Sequence, residues 1–236
     1  MPRVERDAEV SIVVLTYKSL RWLDWMMQGL DSTKQRTRYR YCIVANDASQ
    51  EVKDGLDTRT PDWIDFRADD PSAHYIGRVY AAWREGVMCS KTPWCILANS
   101  DMRFTDLAID ELVTQKHMNP KSLPCSLLIE NGRIPSGMPE HVQDFGTTPE
   151  TFRTADFLKH AETIRKLGWT EPGRLFQPVL FDRQEFFDQG CYPEGNIGGV
   201  SGDKILFDRY VQHGFEWVTC LGSIVAHCQE GEMRDA

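Results

Sequence analysis

Apolar and polar positions along the chain fall into two rhythms, buried strand and amphipathic helix, that take turns. Val10–Leu15 (V-S-I-V-V-L) is a near-continuous β-branched run behind a charged lead, the pattern of a strand covered on both faces. It stops at Thr16-Tyr17-Lys18-Ser19. Leu20, Leu23, Met27 and Leu30 then recur at helical spacing, and Trp22, Trp25 and Met26 widen that face as packing residues. The basic stretch Lys34–Arg40 reads as a solvated loop. A second strand, Tyr39–Ala45, ends in Asn46-Asp47-Ala48-Ser49. A short polar helix at Glu51–Leu56 and a third strand at Trp63–Arg67 follow. Asp69-Asp70-Pro71-Ser72 marks a loop and a helix start, with Pro71 near the first helical position. Tyr75–Cys89 reads as an amphipathic helix that frays from Gly86 onward. The apolar run Trp94–Ala98 then delivers Asn99-Ser100-Asp101 to a strand end.

The second half begins with a helix over Asp106–Met118, which Asn119-Pro120 stops, and a strand at Ser126–Glu130 that turns at Asn131-Gly132. From Ile134 to about Gly173 the pattern is broken by Pro135, Gly137, Pro139, Gly146 and Pro149, with one helix expected over Thr154–Leu167. This stretch reads as an insertion on the substrate side. Order returns with a strand at Phe176–Phe181, a short helix at Gln184–Gln189 and the glycine-rich Gly195–Gly202. A helix over Asp203–His213 and a short strand at Phe215–Val218 come next. A last strand, Ser223–Ala226, delivers His227. Strand, polar turn and helix in repetition is the βαβ rhythm of a parallel sheet. The expected fold is therefore α/β, a single Rossmann-like domain with a mainly parallel central sheet. Open sheets of this kind bind ligands at the carboxyl edge, where Asp101 is expected on a strand-to-helix turn.

At 236 residues the chain fits one large domain, and 26% charged with 41% hydrophobic residues is ordinary for a globular protein. The net charge of -8 counts against a broad nucleic-acid footprint. No apolar run reaches the roughly 18–20 residues of a membrane span. The N-terminal M-P-R-V-E-R-D-A-E-V has no apolar centre, so no secretory signal is expected. The seven cysteines contain no C-x-x-C, which leaves no zinc knuckle or redox pair and favours reduced thiols in a cytoplasmic protein. The sequence also lacks G-x-x-x-x-G-K-[ST], G-x-G-x-x-G after the first strand, and G-x-S-x-G. These absences disfavour P-loop NTPases, dinucleotide enzymes and serine hydrolases of the elbow type.

Four segments in order, Ser11–Ser19, Tyr41–Ser49, Tyr75–Asp101 and Val179–His227, resemble the family 2 glycosyltransferases of the GT-A fold; about Pro120–Arg174 is unmatched. Thr16-Tyr17 is similar to the family's Thr-Tyr-Asn, with Lys18 in place of Asn. The resemblance implies that it lines a nucleotide pocket. Asn46-Asp47-Ala48-Ser49 looks like Asp-Asp-x-Ser, which makes Asp47 the candidate acceptor for the imide N–H of uracil. Arg78-Val79-Tyr80-Ala81 resembles the helix that carries an arginine toward the phosphates; Arg84 stands where the family often has Asn and takes no role. Asn99-Ser100-Asp101 matches the D-x-D position in an Asn-x-Asp form. Asp101 is then the metal-holding carboxylate, with Asn99 and Ser100 beside the nucleotide. Gly202-Asp203-Lys204-Ile205-Leu206-Phe207-Asp208-Arg209 resembles Glu-Asp-x-x-Leu-x-x-Arg, in which the Asp is the base, here Asp203. His227 matches the terminal strand-plus-His pattern and is the second metal ligand.

The resemblance implies a GT-A domain with a nucleotide-sugar-binding half at 10–119 and an acceptor-side half at 120–236. The implied reaction is inverting transfer from a UDP-sugar to an acceptor hydroxyl, with Mn²⁺ or Mg²⁺ as cofactor. The acceptor is open among a glycan, a lipid-linked sugar, a protein and a modified DNA base. Each site residue has a plainer reading. Asp47, Asp101 and Asp203 all stand where a helix N-cap would, Arg78 suits a solvated helix face, and a lone histidine is often structural. Because Asn46, Asn99 and Gly202 replace family acids, a catalytically weak nucleotide-binding module is the rival reading. A glycosyltransferase acting on hydroxymethylated DNA bases is a third.

Overall fold

A computed structural model describes residues 7–60, 62–69 and 74–231. The expected helix start at Pro71 lies outside the described residues. The strands are β1 (Val10–Thr16), β2 (Tyr39–Asn46), β3 (Trp63–Phe66), β4 (Trp94–Ala98), β5 (Met102–Phe104), β6 (Ser122–Glu130), β7 (Thr170–Pro172), β8 (Val179–Asp182) and β9 (Glu216–His227). They form one nine-stranded sheet in the order β3-β2-β1-β4-β8-β6-β9-β5, with β7 also paired to β9. β1 to β4 are mutually parallel, β8 runs against β4 and β6, and β9 lies parallel to β6. Since β5 and β7 both oppose β9, six of the nine strands share one direction and the sheet is mixed but mainly parallel.

The continuous apolar runs have the cause the sequence indicates: both faces of the sheet are covered. Val10, Ile12 and Val14 pack on one face with α1 (Leu20–Asp31), α2 (Gln50–Asp57) and α4 (Ala108–Met118). Val13, Val44, Cys95 and Leu97 pack on the other with α3 (Tyr75–Cys89), α6 (Arg183–Asp188) and α7 (Gly202–Gln212). The insertion folds α5 (Thr154–Ile164) over β6 and β9, burying Phe157, Met138 and Phe145 against Leu127, Ile129 and Ile224. Trp22 and Trp25 meet edge to face and are buried with Cys228, as packing residues should be. Every cysteine in the described residues is a free thiol. Among the described residues no helix is long and apolar enough to cross a membrane.

Three sequence expectations need correction. Asp101 does not lead straight into a helix. Met102–Phe104 forms β5 against β9 first, and α4 starts only at Ala108. The two expected C-terminal strands are one, Glu216–His227, whose pairing with β6 slips between Ser126 and Leu127. α3 is helical to Cys89 and does not fray at Gly86, because the missing side chain lets the helix lie directly on β1 and β2. A Cβ at Gly86 would sit inside contact distance of Val13 Cγ1 and 2.9 Å from Val44 Cγ2. Helix propensity favours Ala over Gly by about 1 kcal/mol, but overpacking of a filled core costs about 1–3 kcal/mol. Gly86→Ala is therefore expected to lower the urea midpoint; a raised midpoint would show that β1 and α3 have room between them.

Candidate active site

The ends of β1, β2 and β4 are brought level by their parallel register, Thr16 opposite Ala45 and Val14 opposite Ala98. Past that edge lies a cavity of about 620 Å³. Its walls include Tyr17, Asp47, Arg78, Asn99, Ser100, Asp101, Asp203 and His227. Thr16 is not among them. Its side chain is fully buried and its hydroxyl donates to the Ser19 carbonyl oxygen at 3.3 Å, holding the turn into α1. Distant parts of the chain thus converge on one space.

The far end of the site is set by the sheet ladder. His227, the last residue of β9, is paired with Glu130 on β6 and with Met102 on β5, the residue after Asp101. The imidazole consequently stands between two carboxylates, Nε2 at 3.4 Å from Asp101 Oδ1 and Nδ1 at 3.2 Å from Glu130 Oε1. Burial alone would lower the His227 pKa, but the two carboxylates raise it to about 10. Burial pushes the Asp101 carboxyl up, and the His227 imidazole and the Gly231 N–H outweigh it and hold the group below its ordinary value. The Gly231 amide donates to Asp101 Oδ2 at 2.9 Å. Asp101 caps no helix: α4 has Leu107 at its cap position and no side-chain cap bond.

At the other end, Asp47 follows the last residue of β2 with φ 52°. Its Oδ1 accepts the Ala68 N–H at 3.2 Å and its Oδ2 accepts Arg78 Nη1 at 3.0 Å. The N-cap of α2 is Ser49, so Asp47 is not the cap. Arg78 is not a solvated face residue; it points from the start of α3 to Asp47, and its buried Nε has no hydrogen-bond partner among the described residues. Asn46 is buried on the same wall, and its Oδ1 has no hydrogen-bond partner among the described residues.

Asp203 lies in the first turn of α7, but Ser201 is the cap of that helix. The Tyr80 hydroxyl donates to Asp203 Oδ2 at 2.9 Å and the Tyr192 hydroxyl to Oδ1 at 3.1 Å. Burial raises the Asp203 pKa, and the two hydroxyls offset only part of the rise. The sequence motifs assign no role to Glu130, Tyr80 or Tyr192. Glu130 carried the same signal as Asp101, an acid closing an apolar strand; the tyrosines carried none.

Among the described residues no three His, Cys, Asp or Glu side chains are already gathered to hold an ion. Asp101 and His227 nevertheless supply one carboxylate and one imidazole on the cavity wall. Glu130 holds Nδ1 and so leaves Nε2 facing Asp101, the support that metal-binding histidines commonly have. Once the Nε2 proton is displaced, this donor pair suits a divalent ion that takes further oxygen ligands.

No family model and no curated protein matches the chain. Its structure is similar to that of S. aureus TarS 1-349, with TM-score 0.60 and 10% identity over 96% of this chain and 62% of that one. It is also similar to GalNAc-T7 with UDP, GalNAc and Mn²⁺, with TM-score 0.64 and 15% identity over 94% of this chain and 44% of that one. The chain spans less than two thirds of either. Identity this low bears on architecture alone, and the architecture is plain: the chain has the GT-A fold.

Proposed function

We propose that the chain is an inverting, divalent-metal-dependent glycosyltransferase that moves a sugar from a UDP-sugar to an acceptor hydroxyl. The support is one juxtaposition: the Asp101–His227 pair and Asp203 line the same cavity as the strand-end residues Tyr17 and Asp47 and the helix residue Arg78. In this reading the base and ribose lie along Tyr17 and Asp47, and the diphosphate extends toward Asp101 and His227. Arg78 is already paired with Asp47, so it braces that end of the pocket. A Mn²⁺ or Mg²⁺ ion held by Asp101 and His227 would supply Lewis-acid stabilisation of the leaving diphosphate. Asp203 takes the proton from the acceptor hydroxyl. The oxygen's electron pair then forms the bond to the anomeric carbon as the diphosphate departs with the pair of the broken bond. A single displacement inverts the centre.

The test is UDP release from a panel of UDP-glucose, UDP-galactose and their N-acetylated analogues with Mn²⁺, over glycan, peptide and hydroxymethylated DNA acceptors. Turnover that disappears in Asp101→Ala and Asp203→Ala supports transfer. Nucleotide binding with no turnover on any acceptor would leave a binding module instead.

The acidity of Asp203 adds a pH signature. The base works ionised, and burial raises its pKa, so activity is lost as pH falls through a value above the ordinary carboxylate range of about 4. kcat/KM for UDP release should therefore show an acid limb above about pH 4. A limb at or below that value would remove Asp203 as the base.

A further inference from the structure

The geometry around Asp203 points to a second layer of machinery: we propose that Tyr80 and Tyr192 are positioning residues whose hydroxyls clamp the two carboxylate oxygens and aim the base into the cavity. The proposal rests on the reading of Asp203 as the base. Tyr80 comes from α3 and Tyr192 from the connection before α7, and both are buried, at 4% and 5% exposure. Their rings stack with centroids 4.7 Å apart and planes 2° from parallel. Phenylalanine would serve for the stack alone. The two hydroxyls, however, end on the same carboxylate, one on each oxygen.

The surroundings are built to hold that arrangement. The Gln177 amide lies 3.5 Å from the Tyr192 hydroxyl, in position to donate to it. Asn196 Oδ1 accepts the Gly202 N–H at 3.2 Å and lies 3.4 Å from the Tyr80 hydroxyl, tying the glycine-rich loop to the clamp. The Trp83 ring leans on Tyr192 with centroids 5.7 Å apart. Gly202 is part of the same device. A Cβ there would fall inside contact distance of the Tyr80 ring, so the residue that replaces the family's Glu vacates the space that Tyr80 fills.

The chemistry is consistent with a base that still has work to do. A carboxylate offers about four lone-pair directions over its two oxygens, and the Tyr80 and Tyr192 hydroxyls take one on each. Burial and the neighbouring Asp203 raise the pKa of both phenols, which keeps them donors throughout the neutral range. The groups facing Asp203 are Tyr80 from α3, Tyr192 from the connection before α7, and the neutral amide of Gln177. Each hydroxyl favours the ionised carboxylate and partly opposes its burial.

The test compares wild type with Tyr80→Phe, Tyr192→Phe and the double variant, which keep the stacked rings. Asp203 is followed by ¹³C NMR of aspartate-labelled protein, assigned with Asp203→Asn, alongside the pH profile of UDP release. Each single variant is expected to move the Asp203 titration and the acid limb of kcat/KM upward by about one pH unit. The double variant should move both further. Coincident Asp203 titrations in all four proteins would overturn the clamp, whatever happens to the rate. The NMR readout needs no substrate. A wild type that turns over no UDP-sugar therefore overturns the proposed function, while the clamp is still judged by the titration.

Discussion

Asp203→Asn is expected to reduce kcat for glycosyl transfer by about 10²–10⁴-fold, the usual contribution of a positioned general base, while UDP affinity stays within about threefold, because the variant changes no nucleotide-facing group. The substitution is chosen to separate chemistry from folding. Asn has the same shape, its carbonyl oxygen still accepts a tyrosine hydroxyl, and its amide can donate to the other hydroxyl oxygen. The partners at 2.9 and 3.1 Å are thus kept while the proton acceptor is lost. Isothermal titration with UDP and Mn²⁺, set beside steady-state kinetics, distinguishes the two quantities. Retained turnover in this variant would place the base elsewhere in the cavity.

The second large effect belongs to Asp101. Its carboxylate is buried, accepts the Gly231 amide and faces the His227 imidazole. Asp101→Ala removes one partner of a buried charge pair, which typically costs about 3–5 kcal/mol; the surviving contact between His227 and Glu130 places the loss toward the low end. Function should suffer through a separate route. The gain in UDP affinity brought by Mn²⁺ should vanish in Asp101→Ala and in Asp101→Asn alike. Asp101→Asn keeps an acceptor for the Gly231 amide and so loses less stability than Asp101→Ala. If Mn²⁺ strengthened UDP binding equally in wild type and both variants, Asp101 would not be an ion ligand.

The frame of the site was readable because its residues close strands. At Thr16, Asn46 and Ala98 a run of apolar side chains gives way to small polar ones, and parallel strands must end together. That pattern puts Asp47 and Asp101 at strand ends, while the role given to Asp47 comes from the family resemblance. Strand β5 was not readable: Met102–Phe104 is too short to display a period, and only its pairing to β9 defines it. The break that split β9 in two has a cause beyond the segment. Its register slips on β6, and the side chain of Glu111 from α4 fills the space beside Gly222. The contact from Tyr80 to Asp203 joins residues 123 positions apart, and nothing local to either marks it. Thr16 shows the reverse limit, since a matching motif does not reveal which of two neighbours turns inward; here Tyr17 faces the cavity and Thr16 the core.

The central claim is that one cavity holds a nucleoside diphosphate and a divalent ion opposite a proton acceptor. Crystals grown with UDP and Mn²⁺ test it most directly, through the anomalous signal of manganese. The account predicts a peak within bonding distance of both Asp101 and His227 Nε2, with the diphosphate on it and Asp203 facing the open side. UDP bound with the Asp101–His227 pair still in direct contact, and no peak beside it, would contradict the account.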